Sequence, residues 1–160
     1  MQPDWDALID QGWIHANDAG RLIGYFTKIH DEYPTSARVK FELANALDYC
    51  GQEMQAIPLY QEAIHMGGLS SDYEAYALLQ LGSSLRNVGR VPEALAILGQ
   101  AQREFPHLWS VSLFQALALH SSGRDADALK TVMLATLKYG ESSDLERYRR
   151  ALANYIGDIE

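Results

Sequence analysis

One pattern of seven landmarks recurs three times in this chain, and it constrains the fold more than any other feature. Leu43/Ala44, Leu47, Gly51, Ala56, Tyr60 and Ala63 are followed 38 residues later by Leu81/Gly82, Leu85, Gly89, Ala94, Leu98 and Ala101. After another 34 come Gln115/Ala116, Leu119, Gly123, Ala128, Val132 and Ala135, and only Gln115 breaks the apolar–small pair. A period of 34, once lengthened by four, is the size of a two-helix unit in a stacked array. Each unit leaves an apolar face that only a neighbouring unit can bury.

Apolar residues recur at three- and four-residue steps almost throughout, and no stretch alternates with period two for long. Glycines at 51, 67–68, 89, 123 and 140 fall where helices would stop, since glycine past a helix end closes it in the left-handed conformation. Ser71 with Glu74 and Ser143 with Glu146 have capping-box spacing, and Pro92 suits a first helical turn. The expected helices are 4–15, 19–32, 37–50, 53–66, 72–88, 92–104, 108–121, 125–139 and 144–157. Pro58 falls a turn inside its helix, where its missing donor costs less than at mid-helix. Ala44, Gly82 and Ala116 are small enough to admit a neighbouring helix, with Leu47, Leu85 and Leu119 filling the space beside them.

Thirteen Lys and Arg against 21 Asp and Glu give a net charge of −8, which argues against non-specific binding to nucleic acid or anionic membrane. The start, MQPDWDALIDQGW, is not that of a secretory signal, and no segment has the roughly 20 apolar residues that cross a bilayer. A lone cysteine, Cys50, excludes an internal disulfide framework and suits a reducing compartment, so a cytoplasmic protein is expected.

Chemistry-bearing constellations are missing. The histidines at 15, 30, 65, 107 and 120 never pair at the spacing that puts two ligands on one helical face, so no metal site is expected. No Gly-rich phosphate loop and no GxSxG elbow occurs, and Cys50 sits at a helix C-terminus, where the dipole disfavours a thiolate. Tyr60 and Phe26 fall on the core stripe rather than on a basic surface that would stack bases. The chain reads as no enzyme, with no cofactor.

The repeated landmarks, with the stretches AIPLYQEAI and LLQLGSSLRNVGRVPEALAILGQAQREFP, resemble the tetratricopeptide repeat, and are similar to a bacterial subfamily of undefined role. The match covers three repeats, 37–70, 75–108 and 109–142, with 71–74 as the insertion. The resemblance implies an all-α, right-handed superhelical solenoid of antiparallel helix pairs with a C-terminal capping helix at 143–157. That helix would place Leu145, Tyr148, Leu152, Tyr155 and Ile156 on its apolar side and cover the last pair, or else dock a second subunit. Residues 3–36 are expected to be a degenerate first repeat or an unrelated capping hairpin. Counting back 34 from Ala56, Tyr60 and Ala63 gives Leu22, Phe26 and Ile29, but from Ala44 it gives Asp10, which is wrong for a close-packing site.

In this family the first helix of each pair lines a concave groove. Carried over, that puts Arg38, Phe41, Asn45, Asp48 and Tyr49, then Tyr76, Leu79, Ser83, Arg86 and Asn87, then Leu113, Leu117 and His120 in a peptide-binding groove. The carboxylate clamp of chaperone-tail members would need lysines and an arginine where this chain has Phe41, Ser110 and Phe114; only Asn45 agrees. The resemblance therefore implies a non-catalytic module that binds a peptide segment of a protein partner, with a homodimeric structural protein as the alternative.

Overall fold

The computed structural model describes the backbone of residues 3–157 and residue 159, and among them the only regular elements are nine α-helices. In chain order these are α1 Trp5–Trp13, α2 Ala19–Glu32, α3 Ala37–Tyr49, α4 Glu53–Met66, α5 Ser71–Asn87, α6 Val91–Glu104, α7 Trp109–Ser121, α8 Asp125–Tyr139 and α9 Ser143–Gly157. Every helix end lies within two residues of the boundary expected from sequence. No helix among the described residues is long and apolar enough to cross a membrane.

The stops are physical. Gly51, Gly89 and Gly123 follow α3, α5 and α7 at φ of 74°, 81° and 78°, a region where a Cβ is strained. The amide of the next residue then reaches back into the helix, as Gln52 N–H does to Leu47 O at 2.8 Å and Arg90 N–H to Leu85 O at 2.8 Å. Gly140 differs: its φ is −71°, and a Cβ there would meet Leu145 Cδ2 and Thr136 O, both at 2.6 Å. That glycine serves close packing of α9 rather than a left-handed turn.

Helix starts depart from the sequence signals. Asp4, Asp18 and Ser36 cap α1, α2 and α3 by accepting from the amides of Ala7, Arg21 and Val39. The Ser71–Glu74 box does not form, because α5 already begins at Ser71 and its cap position, Ser70, makes no side-chain bond. At α9 the cap is Ser142, whose Oγ accepts from Leu145 N–H at 3.2 Å; the Ser143 and Tyr155 side chains lie outside the described residues. Helix α4 runs through Pro58 uninterrupted, on an exposed face.

Helices pair as α3–α4, α5–α6 and α7–α8, and each pair packs its second helix on the next pair's first. The small residues of the repeat make this possible. A Cβ on Gly82 would lie 2.5 Å from Leu98 Cγ, so only glycine lets α6 approach α5 this closely. Ala44, Ala56, Tyr60, Ala63, Ala94, Leu98 and Ala101 are wholly buried along the same stripe. Burying a side chain the size of Leu98 stabilises by about 1.5–3 kcal/mol, so this stripe carries much of the inter-helix adhesion.

The first pair repeats that contact with a shifted register. A Cβ on Gly12 would lie 2.5 Å from Phe26 Cζ, so Gly12 faces Phe26 as Gly82 faces Leu98. The two partners stand 14 residues apart in the first pair and 16 in the later one, which is why counting from Ala44 lands on Asp10 instead of Gly12. Tyr25 OH donates to Leu8 O at 2.9 Å and Trp5 meets Tyr33 edge-on, closing α1 onto α2.

At the other end α9 lies against α8. Leu145 rests on Gly140, Arg149 Nη2 donates to Gly140 O at 3.3 Å, and Ile156 is buried. The expected cover of the whole last pair is not reached: Leu113 and Leu117 of α7 and Leu129 of α8 remain exposed.

First helices also touch one another, α3 with α5 and α5 with α7, whereas successive second helices make no comparable contact among the described residues. Elements that are closer together lie on the inside of a bend. The stack therefore curves with its first helices inward.

Candidate functional site

Two adjoining cavities open on the inner side. The first, about 350 Å³, is lined by Arg38, Phe41, Glu42 and Asn45 of α3 and by Tyr73, Tyr76, Leu79 and Gln80 of α5. The second, about 290 Å³, shares Asn45 and Gln80 and adds Trp13, Asp48, Tyr49, Glu53, Ser83 and Asn87. Both lie where two first helices meet at their polar flanks, so amide, hydroxyl and aromatic groups alternate along the groove.

A buried polar network fixes the wall between them. Glu42, almost fully buried, accepts from Trp13 Nε1–H at 3.2 Å and Asn45 Nδ2–H at 3.4 Å. Arg38 Nε stands 3.1 Å from Glu42 Oε1, but its N–H is not aimed at the carboxylate, so the attraction is one of charge more than of a directed bond. The Arg38 guanidinium lies 3.2 Å from the Tyr73 ring centroid, a cation–π contact. Burial lowers the Arg38 pKa, while Glu42 and Asp6 oppose that.

Tyr60 OH donates to Asn45 Oδ1 at 2.7 Å and approaches Asp48 Oδ2 at 3.4 Å. Burial, together with the neighbouring Asp48 charge, pushes the Tyr60 pKa far up, so this hydroxyl keeps its proton and acts as a fixed donor. Burial raises the Asp48 pKa as well; Glu53 adds to the shift, and hydrogen bonds from Ser84 and Tyr60 pull against it. Buried polar groups partnered in this way hold their side chains in one arrangement. At the edge, Asn87 Nδ2 donates to Glu53 Oε1 at 3.3 Å. Cys50, at the end of α3, has its thiol pKa raised by burial, against any role as a nucleophile.

The groove residues expected from sequence separate into four groups. Arg38, Asn45, Asp48, Tyr49, Tyr76, Ser83 and Asn87 line the two cavities. Phe41 and Leu79 touch the first cavity but are 3% and 7% exposed, because they are wedged between consecutive first helices. They are core residues, not free apolar anchors: Phe41 packs against Tyr60 and Tyr73, and Leu79 against a cluster with Phe105 and Val111. Arg86 lines neither cavity and gives Nη2–H to Asn87 Oδ1 at 3.0 Å.

Leu113, Leu117 and His120 belong elsewhere. With Ala116 of α7 and Asp125, Ala128, Leu129 and Val132 of α8 they form a separate, apolar groove of about 630 Å³ on the end face of the last pair. His120 Nδ1 lies 2.6 Å from Asp125 Oδ1 at its rim.

Sequence reasoning missed Trp13, Glu42, Glu53, Tyr73 and Gln80. Glu42 and Gln80 occupy the same repeat position, a polar residue inserted between apolar neighbours in both first helices, and that was the available signal. Trp13 could not be placed while the register of α1 was off by two.

No curated protein matches this chain. In fold it is similar to a solved structure described as MamA AMB-1, with a TM-score of 0.67 and 21% identity, covering 89% of this chain and 78% of that one. At that identity the likeness speaks for the fold alone. A family model described as Tetratrico peptide repeat matches residues 37–159, the stretch that carries the small–large stripe and the glycine stops, and the chain belongs to the tetratricopeptide repeat family.

Proposed function

We propose that this protein is a non-catalytic interaction module that holds an extended segment of a protein partner in the inner groove between α3 and α5. The family is generally a protein–protein interaction fold. The observation that carries the finer reading is the pair of adjoining cavities sharing Asn45 and Gln80. Amide side chains there offer both donors and acceptors to a peptide backbone, and half-exposed Tyr76 supplies apolar area that is desolvated on binding. On the same reading residues 3–36 are a degenerate first repeat, since Gly12 meets Phe26 as Gly82 meets Leu98 and Trp13 contributes to the groove.

One observation favours a second reading, self-association: the apolar end groove, where Leu113, Leu117 and Leu129 are 40%, 44% and 53% exposed. A single experiment separates the two. A partner captured from native extract is tested against Tyr76→Ala/Asn87→Ala, which spares the core, and against Leu117→Ser/Leu129→Ser, with light scattering on all three proteins. The groove reading expects capture to fail only for the first variant and all three proteins to be monomers. A dimer that only the second variant dissociates, with capture unaffected by the first, would replace the groove reading with self-association.

A further inference from the structure

We infer that the cavity walled by Trp13, Tyr49, Asp48 and Glu53 receives a cationic side chain, a guanidinium or an ammonium, from the bound segment. The inference rests on the peptide-binding reading and names the chemistry that the groove selects.

Two carboxylates and no basic residue line this cavity. Neither Asp48 nor Glu53 takes part in an ion pair among the described residues; the groups beside them are uncharged, the Tyr60 and Ser84 hydroxyls at Asp48 and the Asn87 amide at Glu53. Trp13 and Tyr49 stand edge to face with centroids 5.7 Å apart, and Tyr49 is 62% exposed, so π surface borders the carboxylates. A cation placed there meets aromatic faces and opposite charge together, a combination stronger than either alone. Asn45, Gln80 and Ser83 also line this cavity and carry side-chain oxygens of the kind that accept N–H groups.

The chain already contains a worked example one cavity away. The Arg38 guanidinium lies over the Tyr73 ring and beside the Glu42 carboxylate. The second cavity has the same two kinds of partner, ring and carboxylate, but the chain places no cation of its own between them. A half-buried Asp48 whose ionisation is opposed by burial and by Glu53 is costly to keep, and a bound cation offsets that cost. The net charge of −8 attracts basic segments from a distance.

The test uses the full chain, isotopically labelled, with two blocked peptides, acetyl-Ala-Leu-Arg-Leu-Ala-amide and its twin carrying citrulline in place of arginine. Citrulline keeps the shape and most of the hydrogen bonding but loses the charge. The arginine peptide should move the Trp13 indole and the Ser83 and Asn87 resonances and bind about tenfold more tightly than its twin, an order of magnitude set by cation–π and charge-assisted contacts. Asp48→Asn/Glu53→Gln should erase that preference. Equal binding of both peptides at the groove resonances, or a preference that survives the double variant, overturns the cation site and leaves the peptide groove standing. If neither peptide perturbs any groove resonance, both fall.

Discussion

The middle of the array and its end are built from the same repeat, yet their equivalent residues live in different environments. Phe41, Leu79 and Leu113 hold one repeat position and are 3%, 7% and 40% exposed. Ile57 and Leu129 hold another and are 2% and 53% exposed. Composition does not explain the gradient, since all five are large apolar side chains. What changes is the neighbour: α5 covers α3, α7 covers α5, and α9 turns onto α8 without covering α7. Burial in a solenoid is thus a property of the junction between units rather than of a unit. The end face therefore offers an apolar surface, while the inner groove, closed at its base by Phe41 and Leu79, offers polar and aromatic chemistry.

The largest test of this contrast is a pair of truncations at one repeat position. Phe41→Ala should cost about 3–5 kcal/mol, because a ring packed against Tyr60 and Tyr73 leaves a cavity. In a chain of this size that is a fall in Tm of roughly 10 °C or more. Leu113→Ala should cost about 1 kcal/mol or less, since water already reaches the side chain. Thermal melts that show equal losses would mean the last pair is covered in solution, by α9 or by a second copy.

Insertion probes the same difference from the opposite side. Gly82→Leu forces a side chain to within 2.5 Å of Leu98 and should cost about 1–3 kcal/mol. Ala116→Leu, at the equivalent position, is also buried and packs with Leu119 and Ala128, but it borders the end groove, where an added side chain has room to turn, and should cost less. A denaturant midpoint lowered as far by Ala116→Leu as by Gly82→Leu would contradict the open end face.

Much of this was legible in the sequence, and the misses share a cause. Helix ends were readable because local chemistry sets them: Gly51, Gly89 and Gly123 stop helices wherever they stand. The packing stripe was readable because Ala44, Gly82 and Ala116 repeat. Phe41 and Leu79 line the groove as expected but are buried there, because a helix phase alone does not say how much of a face the next unit covers. The register of α1 was lost because Gly12 and Phe26 stand two residues closer in sequence than their later counterparts. Glu42 was missed because its partners, Trp13, Arg38 and Asn45, come from two helices that only the fold brings together.

The smallest expected effect is electrostatic and sets a closed site against an open one. Asp48 is raised in the folded protein, mainly by burial, so folding favours its protonated form. Its stability penalty is absent below the ordinary Asp range, where both folded and unfolded chains are protonated. It develops as pH rises from that range through the folded value. Asp48→Asn should therefore raise Tm by no more than a few degrees at neutral pH, and the gain should vanish in acid. Glu62, exposed on α4, is the opposite case: its hydrogen bond from Lys40 Nζ at 2.6 Å lowers its pKa. That contribution is present above the unfolded Glu value and is lost as pH falls through the folded one, so Glu62→Gln should lower Tm slightly at neutral pH and not in acid. Melts of both variants across pH 3 to 8 check the signs together. If Asp48→Asn destabilises at neutral pH, the carboxylate is compensated within the free chain, and the argument that it awaits a partner's cation loses its energetic support.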